Sequence, residues 1–92
     1  MIGFVECECI IYDASSLKEK RAVLKRIITR VRAKFNVSVS EIDYQDTWQH
    51  TSFGIAAVSS SRVQTEKELQ RVLAFIDSFP EIERTITRTE WF

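Results

Sequence analysis

Apolar and polar residues alternate along the first segment of the chain, over residues 2–12. Val5, Cys7, Cys9 and Ile11 occupy one set of alternate positions, and glutamates interrupt the other set. Since successive side chains of a strand point to opposite faces of a sheet, the pattern predicts a two-faced strand. The cysteine-bearing face should be buried, and the glutamate-bearing face should be the wetter one.

Two longer segments have helical periodicity instead. Apolar residues recur at three- and four-residue steps over residues 17–35 and again over 63–79. This spacing predicts two amphipathic helices that each bury one stripe. Ser16 followed by Glu19 predicts a capping box, in which the serine accepts a backbone N–H bond and the glutamate reaches back. Pro80 ends the second helix because proline cannot continue one.

Three further strands complete the pattern, at residues 37–42, 53–58 and 82–92, with a turn at Asp46 between the first two. The order β-α-β-β-α-β is the split βαβ arrangement. Right-handed crossovers place both helices on one face of the sheet. We therefore predict an α+β, ferredoxin-like fold with a four-stranded antiparallel sheet, formed by a single domain over residues 1–92. One sheet face is left without helical cover.

Composition and cysteine usage narrow the class of protein. With 45% hydrophobic and 28% charged residues the chain has ordinary globular usage. No apolar run approaches the ~18 residues of a membrane span, and Glu6 and Glu8 interrupt the N-terminal segment, against a secretory signal. We expect a cytoplasmic protein with no membrane partner. Cys7 and Cys9 point the same way, which is poor geometry for a disulfide, and no second ligand pair offers a zinc site.

Charge is unevenly distributed although the net charge is zero. Residues 17–35 contain eight basic residues and one acid, which gives +7 and leaves −7 for the rest of the chain. This distribution predicts a surface for a polyanion, with RNA or a ribosomal particle as the partner. The alternative is a solvated face, partly neutralised by Glu66, Glu68 and Asp77 of the second helix. The candidate RNA- or anion-binding residues are Lys18, Lys20, Arg21, Lys25, Arg26, Arg30, Arg32 and Lys34.

The sequence offers little catalytic chemistry. His50 is the single histidine, and its spacing to Asp43 and Asp46 matches no metal-ligand motif. We therefore predict a non-enzymatic protein with no catalytic, cofactor or metal site and no small-molecule substrate. RNA stacking on the sheet is disfavoured as well, because Phe53 should face the helices and glutamates occupy the uncovered face.

Aromatic residues outside the predicted core suggest a protein contact. A one-sided sheet in a small domain needs cover, which makes the uncovered face a candidate interface for another protein or a homodimer. The Trp91–Phe92 strand is the alternative interface for the homodimer. This protein–protein module is the rival to RNA binding. The candidate interface residues are Phe4, Tyr12, Trp48, Trp91 and Phe92.

Two strings of residues carry a family resemblance: SLKEKR at residues 16–21 and DYQDTWQ at 43–49. The chain resembles the YlxP-like family of small bacterial proteins over nearly its whole length, including residues 35–39 and 71–73. The resemblance implies a ferredoxin-like fold and no established activity. Genes of this family often lie beside those for translation initiation and ribosome maturation factors, which suggests a setting in translation.

Overall fold

Six elements follow one another in the predicted order. The computed structural model describes all residues, 1–92. The elements are β1 (Ile2–Ile11), α1 (Leu17–Lys34), β2 (Ser38–Asp43), β3 (His50–Val58), α2 (Arg62–Asp77) and β4 (Ile82–Trp91).

The strands form one sheet in the order β2-β3-β1-β4, and every neighbouring pair is antiparallel. Both helices pack on the same face of this sheet, and the opposite face, called the open face below, has no helical cover. The α+β ferredoxin-like prediction is confirmed. Neither helix has the length and apolar character needed to cross a membrane.

The core lies between the helices and the inner face of β1 and β3. Val5, Cys7, Cys9 and Ile11 are at most 1% exposed, as the alternation predicts. Burial of an aliphatic side chain of this size stabilises the fold by about 1.5–3 kcal/mol. Both cysteines are free. A hydrogen bond between the two thiols, together with burial, raises the pKa of the Cys9 thiol far above its ordinary value.

The N-terminus of α1 differs from the predicted capping box in one partner. Ser16 Oγ accepts a hydrogen bond from the Glu19 N–H at 3.1 Å, as expected. The Glu19 carboxylate, however, accepts from the backbone N–H and the hydroxyl of Ser15, at 2.8 and 2.9 Å, one residue earlier than predicted. These bonds favour the ionised form and lower the pKa of Glu19.

Two β-bulges interrupt the sheet at the same level. Between the pairs Cys7–Thr87 and Cys9–Arg84, two residues of β4 lie opposite Glu8. Because a bulge adds one residue to a strand, residues beyond it lie on the opposite face from the one that simple alternation predicts. As a result, Ile82 is buried at 6% exposure, whereas Ile86 is 47% exposed on the open face.

The second bulge lies on the other side of the same row. Between the pairs Glu41–Phe53 and Asp43–Ser52, Ile42 is the extra residue of β2. Because Ser52 pairs with Glu8 across β3 and β1, the bulges flank this one pair from both sides. Bulges are enriched beside functional sites, where they redirect side chains.

Candidate functional site

Lys20 of the SLKEKR string is buried beneath α1. Its side chain is 1% exposed, and Nζ donates to the Tyr44 carbonyl at 2.5 Å and lies 3.0 Å from Glu41 Oε2. The Thr51 hydroxyl donates to the same glutamate oxygen at 2.6 Å. The prediction that places Lys20 on the exposed basic surface is wrong, because the ammonium group is held inside by acceptors from the β2–β3 hairpin.

A second group of bases contacts α2 and the turn after it. Arg26 forms an ion pair with Glu81, and the guanidinium of Arg30 lies 5.7 Å from the ring centroid of Phe79. Lys34 lies over two further phenylalanine rings. Each of these three side chains therefore has a contact within the chain, as expected for a row at four-residue steps beside a neighbouring helix.

The acids of α2 do not neutralise α1, contrary to the alternative weighed above. Glu68 lies 3.7 Å from Arg71 on its own helix. Asp77 accepts two hydrogen bonds from the guanidinium of Arg84 in β4, at 3.0 and 2.8 Å. Glu66 forms no ion pair with α1, so the acidic partners of the first helix are Glu81 and, for the buried Lys20, Glu41.

Four bases remain on the side of α1 that faces the β2 edge: Lys18, Arg21, Lys25 and Arg32, called the basic flank below. All four are exposed, and none has an acidic oxygen within the 4.0 Å of an ion pair. Arg32 Nη2 donates to the Val39 carbonyl at 3.0 Å, which fixes the flank beside β2. At 1.5 Å per residue the flank extends about 21 Å along the helix.

The predicted interface aromatics divide between different surfaces. Phe4 and Tyr12 lie on the open face, as the β1 alternation implies. Trp48 lies in the β2–β3 hairpin, and Phe92 follows β4; they are 51% and 69% exposed. Trp91 does not belong to the open face, because it pairs with Gly3 and packs against the core. An interface at the Trp91–Phe92 end of β4 stays a prediction, separate from one on the open face.

Polar side chains gather on the open face around Glu8, which is 8% exposed. The Tyr44 hydroxyl donates to Glu8 Oε1 at 2.8 Å, and His50 Nε2 lies 3.6 Å from the same oxygen. Arg88 Nη1 is 3.5 Å from Oε2. The Tyr44 and His50 rings stack, with centroids 4.1 Å apart and planes 5° from parallel. These four residues and Ser52 are called the Glu8 cluster below.

Two features of the Glu8 cluster are energetically unfavourable. The Ser52 hydroxyl is fully buried and has no hydrogen-bond partner, although buried polar groups are nearly always paired. Tyr44 has φ 62°, in the left-handed region that non-glycine residues rarely adopt. Such backbone costs about 1–3 kcal/mol and concentrates at functional sites. Its conformation is fixed by Lys20 at the carbonyl and by Asp43 Oδ1 at the N–H.

The electrostatics of the cluster keep the tyrosine protonated. Loss of the Tyr44 proton would break its hydrogen bond to Glu8 and place two negative charges together, so the bond raises the pKa of the Tyr44 phenol. No set of histidine, cysteine, aspartate and glutamate side chains in the structure could hold a metal ion. His50 faces Glu8 and Tyr44 rather than a set of ligands with Asp46.

The family model described as a protein of unknown function, DUF503, matches residues 2–89. The chain belongs to the DUF503 family. It is 91% identical, over the full length of both chains, to the "Uncharacterized protein YlxP" of Bacillus subtilis (strain 168). The YlxP-like resemblance is thereby confirmed. Neither description states an activity, so function must be argued from the basic flank and the Glu8 cluster.

Sequence reasoning missed both Lys20 and the Glu8 cluster, for different reasons. Lys20 stands four residues before Leu24 and seven before Ile27, so helical periodicity places it on the buried stripe. Its positive charge, however, led to the prediction that it is exposed. The cluster has no local signal, because Tyr44 meets Glu8 across a separation of 36 residues. Only the pairing of β1 with β3 brings them together.

Proposed function

We propose that the protein is a non-enzymatic, cytoplasmic domain that binds RNA, free or within a ribosomal particle, through the basic flank of α1. One observation carries the proposal. Lys18, Arg21, Lys25 and Arg32 are exposed and lie against no acid or aromatic ring, whereas each other base of this helix is ion-paired or lies over a phenylalanine ring.

The physical argument is one of unscreened charge. Exposed lysines and arginines attract phosphates and displace their counterions, which supplies most of non-specific nucleic-acid affinity. Arg21 and Arg32 can also contact a phosphate with two parallel hydrogen bonds. A flank about 21 Å long can follow several consecutive phosphates of one strand. The net charge of zero does not oppose this, because the local field acts on the ligand.

The test measures anisotropy of a fluorescein-labelled single-stranded RNA over a range of salt concentrations. If four bases each neutralise one phosphate, log K should fall with log salt at a slope of about −3. The variant Lys18→Gln/Arg21→Gln/Lys25→Gln should weaken binding strongly and reduce the slope to about −1. Co-sedimentation of both proteins with ribosomal particles in a gradient tests the particle-bound form.

The matched control removes the same charge from the other helix. Arg62, Lys67 and Arg71 are exposed on α2, and their triple replacement by glutamine should leave RNA affinity close to that of the wild type. Equal losses in the two variants would mean that only overall charge matters. That result, or no binding of wild type even at low salt, contradicts the proposal.

A further inference from the structure

The open face carries an excess of acidic side chains. The strand register places five acids on it, Glu6, Glu8, Asp43, Glu83 and Glu90, with Arg88 as the opposing base. Five acids and one base give −5 + 1 = −4. The charge of this face is therefore opposite in sign to that of the basic flank, which lies on the helical layer.

Apolar side chains border these acids. Ile42 and Ile86 are 40% and 47% exposed, and the Phe4 ring lies beside Gly54. A Cβ atom at Gly54 would be 2.8 Å from Ile42 Cγ2 and 3.2 Å from Phe4 Cε2, so these two side chains close over the glycine. Together with Ala56 they border a shallow depression of about 220 Å³.

We propose that the open face binds a basic polypeptide segment of another protein. An apolar side chain of the segment occupies the depression bordered by Phe4, Ile42 and Ala56, and a guanidinium or ammonium group pairs with Glu8 and Glu6. Glu8 suits this role because the Tyr44 hydroxyl positions its carboxylate through a hydrogen bond. Its ion pair with Arg88 is longer than a hydrogen bond of good geometry, with 3.5 Å between Arg88 Nη1 and Glu8 Oε2. The hydroxyl of Ser52, which pairs with Glu8 in the sheet register, is a buried polar group without a hydrogen-bond partner.

Charge complementarity selects this occupant over two others. A second copy of the chain on the same face would bring two surfaces of charge −4 together, and like charges in an interface cost several kcal/mol. An RNA backbone would meet the same repulsion. A basic segment with apolar residues instead gains both charge pairing and burial of apolar area.

The experiment uses the full chain, labelled with ¹⁵N, and three short synthetic peptides. The peptides share the same leucine positions and carry arginine, glutamine or glutamate at the positions between them. The arginine peptide should shift the amide signals of Glu8, Ser52 and Gly54 in a saturable manner, and the glutamate peptide should not. Short RNA, titrated in parallel, should leave these signals in place.

Variants locate the contact. Glu6→Gln/Glu8→Gln should weaken the arginine peptide about tenfold or more, because loss of one partner from a largely buried charge pair is costly. Ile42→Ser, at an exposed position, should weaken both the arginine and the glutamine peptide. The control Glu66→Gln/Glu68→Gln removes two charges from α2 and should change nothing.

Four outcomes would overturn the proposal: no shift with millimolar arginine peptide, equal binding of all three peptides, equal losses in the control, or displacement of the peptide by RNA at these same residues. Concentration-dependent shifts of the same signals in the protein alone would assign the face to a second copy, which also contradicts it.

Discussion

Replacement of Lys20 by methionine should destabilise the protein severely, although lysine on an amphipathic helix is usually dispensable. Lys20→Met keeps the length and apolar stem of the side chain and removes only the ammonium group. Two acceptors then lose their donor: the Tyr44 carbonyl and Glu41 Oε2, which lie 2.5 and 3.0 Å from Nζ in the folded protein.

The magnitude follows from burial. Breaking a buried ion pair by removing one partner costs about 3–5 kcal/mol, because the remaining charge is left unpaired. The Glu41 side chain is 18% exposed and keeps its bond from Thr51, so the low end applies. A loss of about 3 kcal/mol is a large part of the 5–15 kcal/mol of a typical domain. For a chain of 92 residues it should lower Tm by about 12–24 °C.

The assay is thermal and urea unfolding, followed by circular dichroism, of Lys20→Met, Glu41→Met and the double variant. The double variant should be more stable than the sum of the two single losses predicts, because it leaves no unpaired charge. Lys18→Met, on the exposed side of the same helix, is the control and should change the free energy of unfolding by less than about 0.5 kcal/mol. If Lys20→Met resembles this control, or if the two single effects simply add, the buried pair is not what holds the hairpin to α1.

Two smaller predictions concern the open face and the buried face of β1. In a Tyr12→Phe background, ultraviolet titration should show the Tyr44 phenol ionising above its usual pKa, and Glu8→Gln should lower that pKa. Since the folded-state pKa of Tyr44 is raised, the stability that this bond gives is present below the unfolded-state pKa and is lost as pH rises through the folded-state value. If Glu8→Gln leaves the titration of Tyr44 unchanged, the hydrogen bond to Glu8 is excluded. Gly3→Ala should cost about 1–3 kcal/mol in chemical unfolding by overpacking, because its Cβ would lie 2.8 Å from Leu69 Cδ1 and 2.9 Å from Trp91 Cζ3; wild-type stability would refute that reading.

The fold could be predicted because its determinants are periodic and local. The alternation of Val5, Cys7 and Cys9 assigns the buried face of β1 without any knowledge of its partners, and the structure agrees. Helix starts are similarly local, since Ser16 and Ser61 cap α1 and α2 with their own hydroxyls. Where one residue and its near neighbours in the chain determine a helix start or the buried face of a strand, the sequence was sufficient to predict it.

The site could not be predicted because its determinants are long-range. The two bulges beside the Glu8–Ser52 pair depend on how four strands match in length, and no alternation pattern reports such a shift. Whether a base on α1 is ion-paired or free likewise depends on which side chains of other elements lie beside it. Arg26 meets Glu81, whereas Lys25, one residue earlier, turns to the side where no acid lies within ion-pair distance.

Lys20 connects the two surfaces that this fold keeps apart. It belongs to the helix that carries the basic flank, yet its ammonium group holds the carbonyl of Tyr44, whose ring and hydroxyl belong to the Glu8 cluster. Tyr44 is strained in the left-handed region, so its position on His50 and Glu8 depends on that support from the opposite layer. An RNA on α1 and a basic segment on the open face would occupy opposite layers and would not compete for the same residues. Under the two proposals, one domain would join a negatively charged partner on α1 to a positively charged partner on the open face.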